Sequence, residues 1–510
     1  MTAAETGEGT QPATAFNGLF GRGLLYVVIW SLQLLVATIV SPVLAHTLTM
    51  SQFGALAAAI ALYQLVIVLC VFGIDQALEV QRVEDGVDDH RARGLLAVGM
   101  VLGFVVTGVL LLTLRWWAPV FGFDEGLSLV RVTLLWTAPG TAVLLVLSLL
   151  QAEDRLRKFT VVSLISTVGA QLLELALLFG VRRDPVTYAW GGVIGQSIAF
   201  AIGVWWARPR LAGLRAHDVT VRALRLGAPL VVAGLSEFIL AAGDRLIVQR
   251  WLGAEAVASY QVAFVVGNVV TLLLLFTNRA WLPRLIGIGD DAQRWRTIAR
   301  ARDGIYWLVG WSLIGVTVAA PALLRVFVPA SYDRVDMTRI VFIVGLCALP
   351  VAAIGATSRM LISVRWSTPM AWSSAVAVLV KVAMTIGLLS VLGLSGAALG
   401  TLAALVAQAA FLREAVARRH PVIRSSRGSL GFLAAAVAVS GVSVLLPMTP
   451  AWDLGRTVFG ALCLVPFTGS IRLLQRGELP IRPAGRHRAS ARRVRSSASA
   501  AATPPSSRGV

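Results

Sequence analysis

The sequence is poor in charged residues, and above all in acidic ones. Of its 510 residues only 14% are charged, with 26 Asp and Glu against 45 Lys and Arg, whereas 57% are hydrophobic and the mean hydropathy is +0.78. Soluble domains are about 25% charged and about 45–50% apolar. The composition therefore excludes a water-soluble enzyme and predicts a membrane protein.

Residue patterns typical of enzymes are missing too. The three cysteines lie far apart inside apolar runs, and the five histidines lie in loops or at the ends of such runs. No CxxC, HExxH, Walker or Ser-His-Asp pattern accompanies them. We therefore expect no bound metal, no cofactor and no enzymatic activity.

Long hydrophobic runs, by contrast, are abundant. A helix that crosses the hydrocarbon core needs about 20 mainly apolar residues. We predict fourteen such spans, at 24–46, 53–74, 94–114, 127–150, 159–180, 186–206, 222–248, 256–277, 304–328, 338–363, 369–392, 395–418, 429–447 and 454–474. The predicted fold class is an all-α polytopic membrane protein.

The basic residues are unevenly divided between the loops. If the amino terminus is cytoplasmic, 32 of the 45 Lys and Arg fall in inner loops or the carboxy-terminal tail, and 7 fall in outer loops. Inner loops of membrane proteins are enriched in Lys and Arg, so both termini are predicted to be cytoplasmic. Residues 475–510 are rich in Arg, Ser, Ala and Pro, which predicts a disordered basic tail that binds anionic lipid.

An internal repeat relates the two halves of the chain. A shift of 204 residues places 43–62 on 247–266 and aligns Gln33 with Glu237. Both copies contain a long span, a short outer turn and a second span, and both run in the same direction. We predict a cytoplasmic segment at 1–23, two six-helix lobes related by a parallel repeat at 24–206 and 222–418, and an additional helix pair at 429–474.

Two hairpins carry a distinctive set of residues. The first, 24–78, has an aromatic-Gly outer turn at Phe53 and Gly54 and ends in Gly-Ile-Asp-Gln-Ala-Leu. The second covers the seventh and eighth spans and contains Pro229, Asp244, Arg245, Gly253, Ala254, Tyr260, Trp281 and Pro283. Both hairpins resemble the Wzx-type oligosaccharide flippases of the multidrug/oligosaccharidyl-lipid/polysaccharide (MOP) exporter superfamily.

The resemblance implies two helical lobes around a central cavity that opens alternately to either side of the bacterial plasma membrane. It also implies a sugar linked through diphosphate to undecaprenol as the substrate, and a glycan polymerase and glycosyltransferases as possible partners. Nucleic acid is not an expected partner. The additional pair at 429–474 is more similar to the lipid II flippase branch of the superfamily.

Ionisable residues at membrane depth need a partner, a water-filled cavity or a route to the headgroups. On the seventh span, spacings of seven and eight residues predict that Glu237, Asp244 and Arg245 share one stripe of a helix. Asp244 and Arg245 either form a structural ion pair near the outer gate, or Arg245 contacts a diphosphate while the carboxylates sense protons or cations. Lys381 and Glu174 lie deepest, and each either lines the cavity or makes a polar contact within its lobe.

Basic residues near the predicted inner ends of the spans could attract an anionic headgroup from the cytoplasm. The candidate substrate-binding residues are Arg22, Gln33, Glu237, Asp244, Arg245, Arg279, Arg284, Arg359 and Lys381. Arg359, like Arg131 and Arg456, alternatively extends to the lipid headgroups. The leading hypothesis is a lipid-linked oligosaccharide flippase that receives its substrate near the inner arginines and releases it near Arg245.

Two other transport functions compete with this hypothesis. A cation- or proton-coupled multidrug exporter of the same superfamily commonly has a carboxylate in its first span, but no Asp or Glu lies between Glu8 and Asp75. A lipid II flippase is the other alternative. A membrane glycosyltransferase or polymerase is disfavoured because the longest predicted outer loop, 329–337, is too short for a catalytic domain.

The predicted orientation can be tested with reporter fusions. We expect a green fluorescent protein fused after Arg476 to fluoresce in cells and an alkaline phosphatase at the same position to be inactive, because that end is predicted to be cytoplasmic. The same two reporters fused after Arg183, in a predicted outer loop, should give the opposite pattern. Phosphatase activity at the carboxy terminus would contradict the predicted topology.

Overall fold

The structure is a computed structural model that describes residues 36, 38–85, 90–124, 126–279, 291–419 and 425–476. These residues form helices joined by short turns, and none of them lies in a β-strand. The predicted all-α fold class is therefore confirmed. The predicted segment 1–23, most of the first predicted span and almost all of the basic tail lie outside the described residues.

The helices of the first half of the chain are joined by short loops. They are α1 (38–47), α2 (Met50–Val71), α3 (Ile74–Asp85), α4 (His90–Leu112), α5 (Leu114–Trp117), α6 (Leu127–Ala152), α7 (Leu156–Leu164), α8 (Ala170–Gly180) and α9 (Pro185–Ala207). The turn before α2 is a capping box in which Thr49 and Gln52 each bond the other's backbone N–H. One π-helical turn, Ile165–Gly169, joins α7 and α8 into a single span.

The second half repeats this pattern and adds a final pair. Its helices are α10 (His217–Ala241), α11 (Gly243–Leu252), α12 (Ala254–Arg279), α13 (Asp291–Phe327), α14 (Arg334–Leu346), α15 (Ala348–Ser363), α16 (Thr368–Leu392) and α17 (Leu394–Ala417). The pair consists of two candidate spans, the first formed by α18 (Arg427–Leu445) and the second by α19 (Pro450–Leu462) together with α20 (Leu464–Arg476). We use "N-terminal lobe" for the helices within 24–206 and "C-terminal lobe" for those within 222–418, boundaries that stay predictions.

Twelve helical segments of the described chain are long and apolar enough to cross a membrane. They match twelve of the fourteen predicted spans, including the final pair. The predicted span 186–206 forms α9, a 23-residue helix that is not among those twelve. The remaining predicted span, 24–46, is described only at its end, where residues 38–47 are helical.

The seventh predicted span is interrupted where one continuous helix was expected. The backbone breaks at Ala242, with φ −141° and ψ −8°, between α10 and α11. In a continuous helix the Leu240 carbonyl would accept the N–H of Asp244, but here Lys381 Nζ donates to it at 2.7 Å. The predicted shared stripe is therefore wrong, since Glu237 is exposed on α10 whereas Asp244 and Arg245 are buried on α11.

The two lobes meet most closely near the predicted outer end, where α2 packs against α12. A Cβ placed on Gly54 would lie 1.6 Å from the Ala254 carbonyl oxygen, so only glycine allows this approach. In the same region Gln249 Nε2 donates to the Gly122 carbonyl at 3.0 Å. Buried apolar residues from both lobes form one continuous core around these contacts.

The final helix pair is fastened along the length of α13. At one end the Asp303 carboxylate accepts from Ser426 N at 2.8 Å, and at the other Arg325 pairs with Asp453. Between them the rings of Trp307 and Phe432 stack with centroids 4.1 Å apart. The pair is therefore an integral part of the C-terminal side of the bundle.

Arg456 in α19 does not extend to the headgroups as predicted. It is 4% exposed, and its Nη2 donates to the Ser443 carbonyl at 3.1 Å. The prediction failed because α18 ends beside α19 and leaves a carbonyl within reach. Arg131, for which the same behaviour was predicted, is exposed on α6.

The close approach of α2 and α12 predicts a marked effect of substitution at Gly54. We expect Gly54→Val to lower the free energy of unfolding by about 1–3 kcal/mol, because a side chain there overlaps backbone atoms of α12. Thermal unfolding in detergent measures the change. Gly108→Val is the matched control, since nothing lies within 4 Å of a Cβ at that helical glycine. Equal unfolding midpoints for the two variants would contradict the packing described here.

Candidate functional site

The most deeply buried ionic cluster in the described structure is centred on the Asp244 carboxylate. Asp244 and Lys381 are both 0% exposed, and Lys381 Nζ lies 3.4 Å from Asp244 Oδ2. Tyr260 Oη donates to the same oxygen at 2.5 Å, and Thr401 Oγ1 donates at 3.5 Å. A carboxylate away from water is stable only when a cation and hydrogen-bond donors surround it, and here all of these donors come from helices of the C-terminal lobe.

Four helices supply this cluster, and each contributes a residue near the same depth. Asp244 lies on α11, Tyr260 on α12, Lys381 on α16 and Thr401 on α17. All except Lys381 lie within about two turns of the predicted outer end of their helices, and Lys381 reaches them along its four-carbon side chain. Lys381 also donates a hydrogen bond to the Leu240 carbonyl, which the break between α10 and α11 leaves without its helical donor.

Arg245, the next residue on α11, directs its guanidinium toward α12 and stays within ion-pair distance of Asp244. Its Nε donates to Gln261 Oε1, its Nη1 donates to the Ala241 carbonyl at 3.1 Å, and its guanidinium carbon lies 4.6 Å from the centre of the Phe264 ring. The closest approach of Nη1 to Asp244 Oδ1 is 3.6 Å. Among the described residues, none accepts a hydrogen bond from the other terminal nitrogen, Nη2.

The structure brings together three of the predicted site residues, Asp244, Arg245 and Lys381. Glu237 is exposed on α10, and Arg359 is half-buried on α15 toward the predicted inner end. Arg279 is the last residue of α12. Arg22, Gln33 and Arg284 lie outside the described residues.

Glu174 and Lys381 were each expected either to line the cavity or to make a polar contact within the lobe. In the structure each makes a polar contact within its own lobe. Glu174 on α8 is 2% exposed and hydrogen-bonds to Tyr188 of α9. A Cβ on Gly191 would lie 2.4 Å from Glu174 Cα, which shows how tightly these two helices pack. Neither residue is therefore placed on an open cavity by the described helices.

Three partners in the Asp244 cluster were not recognised as site residues from the sequence. Thr401 and Gln261 carry no distinguishing pattern, and hydroxyl or amide side chains inside membrane helices are common. Tyr260 was noted only as part of the resemblance. A search for donors would have required knowing that α12 and α17 adjoin α11.

Comparison with solved structures identifies the fold. The chain resembles the lipid II flippase MurJ in its inward closed conformation, with a TM-score of 0.67 and 14% identity over 89% of this chain and 99% of that one. It also resembles an inward-facing multidrug resistance MATE family transporter of the MOP superfamily, with a TM-score of 0.61 and 13% identity over 79% of this chain and 94% of that one. The fold is therefore that of the MOP superfamily.

Sequence comparison gives the family. Residues 21–288 match the family of polysaccharide biosynthesis proteins, which is more than half of the 510 residues, and the chain belongs to that family. A comparison with curated proteins finds no match. The chain therefore combines membership of that family with the fold of MOP superfamily transporters.

Because Asp244 and Lys381 are buried together, we expect the protein to be much less stable with one of the two charges removed than with both present or both removed. We expect Asp244→Asn and Lys381→Met each to lower the free energy of unfolding by about 3–5 kcal/mol, because each leaves a buried charge without its partner. The double variant should lose much less than the sum of the two. Thermal unfolding of the four proteins in detergent provides the cycle, and strictly additive losses would contradict a direct pairing.

Proposed function

We propose that the protein is a flippase that moves a lipid-linked oligosaccharide across the bacterial plasma membrane by alternating access, for cell-surface polysaccharide biosynthesis. The substrate would carry its sugar on undecaprenyl diphosphate. Membership of the polysaccharide biosynthesis family supports this proposal. The main observation in its favour is that the buried cluster around Asp244 contains more basic than acidic residues.

This cluster contains one acidic residue and two cations. Asp244 is fully buried and already accepts donors from Lys381, Tyr260 and Thr401. Its single negative charge is shared by Lys381 at 3.4 Å and Arg245 at 3.6 Å, so the cluster has one more cation than acid, and Arg245 is 9% exposed. A cation that is largely removed from water attracts an anion strongly, because the surrounding dielectric is low. The balance therefore favours an anionic substrate.

Arg245 also lies next to the contact between the two lobes. Its partner Gln261 is on the same face of α12 as Ala254 and Ala258, which approach Gly54 of α2. In an alternating-access mechanism this face borders the cavity when the outer end opens. A guanidinium suits a diphosphate because it stays charged and can donate two parallel hydrogen bonds.

The other candidate arginines fit a path for an anionic headgroup. Arg22, Arg279, Arg284 and Arg359 lie toward the predicted inner end of the spans, where they would attract the sugar diphosphate from the cytoplasm. The polyprenyl chain would remain in lipid throughout. In this scheme the headgroup passes from the inner arginines to Arg245, and opening of the outer end releases it. A glycan polymerase and glycosyltransferases are the partners we propose.

A lipid II flippase is the second candidate function. The additional pair α18–α20 and the similarity in fold to MurJ favour it, and the diphosphate chemistry at Arg245 would be the same. A drug exporter coupled to protons or cations is less favoured, because the Asp244 carboxylate already accepts hydrogen bonds from Tyr260 and Lys381 of its own lobe.

Transport assays with Arg245 variants test the proposed function. We expect Arg245→Ala to slow translocation of an undecaprenyl-diphosphate oligosaccharide in proteoliposomes by about tenfold or more, because a hydrogen bond to a charged group contributes about 1.5–3 kcal/mol. Arg245→Lys should keep part of the activity, since it retains the charge and loses the planar fork. Arg250→Ala is the control, because Arg250 is exposed on the same helix.

Two results would overturn the proposal. One is unchanged translocation by the Arg245→Ala variant with normal thermal stability. The other is efflux of cationic dyes by the wild-type protein together with no movement of any lipid-diphosphate sugar. Comparison of a lipid-linked surface oligosaccharide with lipid II as substrates separates the two flippase functions.

A further inference from the structure

A second charged feature lies at the predicted inner end of the N-terminal lobe, at the opposite end of the bundle from the Asp244 cluster. It is a cavity of about 440 Å³, far above the ~10–15 Å³ that one water molecule requires. Its lining residues are Arg93, Arg155, Lys158, Trp205, Trp206 and Arg208. Four of these six are cations and none is acidic, so the cavity is built for an anion.

Three helix ends converge to form this cavity. α4 and α7 begin there and α9 ends there, and the Arg210 N–H donates to the Arg93 carbonyl at 3.1 Å across the gap. Gly94 and Gly213 make this close approach possible, because a Cβ on Gly213 would lie 2.1 Å from Gly94 Cα. Backbone contacts therefore fix the segments that carry Arg93 and Arg210 relative to each other.

The two arginines at the back of the cavity are held in place by Glu153. Its Oε2 lies 2.9 Å from Arg155 Nε and its Oε1 lies 3.4 Å from Arg93 Nη2, while the carboxylate side chain is only 2% exposed. Glu153 thus offsets part of the positive charge of Arg93 and Arg155. It leaves Lys158 and Arg208 as the cations that face the open part of the cavity.

Lys158 and Arg208 are not engaged in ion pairs or side-chain hydrogen bonds with the described residues. Lys158 makes one ring contact, with Nζ 5.9 Å from the centre of Trp206. Arg208 ends α9 with φ 49°, a left-handed conformation in which Gly or Asn is usual. The dipole of α9 favours a cation at this end of the helix. Because neither side chain has an ion pair or a hydrogen bond with the described residues, both cations remain available to an anion.

The tryptophans place the cavity at the level of the lipid headgroups. Trp205 is 69% exposed and Trp206 lies beside it at the last turn of α9. Indole rings concentrate at the membrane–water interface, and basic pockets between helix ends on the cytoplasmic side suit anionic lipid headgroups. An anionic phospholipid of the inner leaflet can place its phosphate in this cavity with its acyl chains alongside Trp205.

We propose that this cavity binds the phosphate headgroup of an anionic phospholipid of the inner leaflet. Lys158 and Arg208 contact the phosphate, Arg93 and Arg155 add to the positive field, and Trp205 packs against the acyl chains. The site is separate from the substrate path proposed above and does not depend on which sugar is moved. It anchors the inner end of the N-terminal lobe to acidic lipid.

Lipid titration of the full-length protein tests this site. We expect native mass spectrometry in detergent to show phosphatidylglycerol binding that is roughly 30-fold weaker for Lys158→Gln/Arg208→Gln, since each basic residue near anionic lipid contributes about 1 kcal/mol. The matched control is Arg182→Gln/Arg183→Gln, which removes two exposed cations at the predicted outer end. Lys158→Arg/Arg208→Lys should retain binding, because it conserves both charges.

Three outcomes would overturn the assignment. They are equal phosphatidylglycerol binding by the Gln double variant and wild type, equal loss in the Arg182/Arg183 control, and binding of phosphatidylcholine as tight as that of phosphatidylglycerol. Displacement of the lipid by inorganic phosphate at similar concentration would show that the site takes free phosphate and would overturn the lipid part. Thermal unfolding of each variant shows that it is folded, and we expect unchanged midpoints because neither side chain bonds to the described protein.

Discussion

A buried carboxylate that stays ionised inside a membrane bundle needs a partner for its charge, and the pairing of Asp244 with Lys381 supplies one. The low dielectric of the surroundings makes the attraction strong and the cost of separation high. Since Tyr260 and Thr401 bond the same carboxylate, the pair joins four helices of the C-terminal lobe. The gap between α10 and α11 belongs to the same arrangement, because Lys381 takes the carbonyl that the gap exposes.

The charges of the protein fall into groups with different physical roles. The net charge of +19 says little by itself. Arginines in the predicted inner loops favour a cytoplasmic amino terminus. The Asp244 cluster joins helices of one lobe and has one more cation than acid. The cavity around Lys158 belongs to the membrane surface, where the anion comes from lipid and the charges need not be balanced within the protein. The two sites therefore concern anions at opposite ends of the bundle.

Sequence reasoning was strongest where lipid imposes the pattern. Apolar runs of spanning length predicted the helices, and twelve of the fourteen spans correspond to candidate membrane helices. Ionisable residues are rare at membrane depth, and this rarity identified Asp244, Arg245 and Lys381 as candidates. The pairing itself was not predictable, because Asp244 and Lys381 are 137 residues apart and no local periodicity connects them. The break at Ala242 was missed for the same reason, since the donor that bonds the freed Leu240 carbonyl, Lys381, is 141 residues away in the sequence.

The fastening of α18–α20 to α13 makes the two halves of the bundle unequal in bulk. The C-terminal half has an extra pair of helices, which contacts α13 at Asp303, Trp307 and Arg325. Loss of this pair would expose the ring of Trp307 to lipid and remove the partners that Ser426 and Asp453 provide to Asp303 and Arg325.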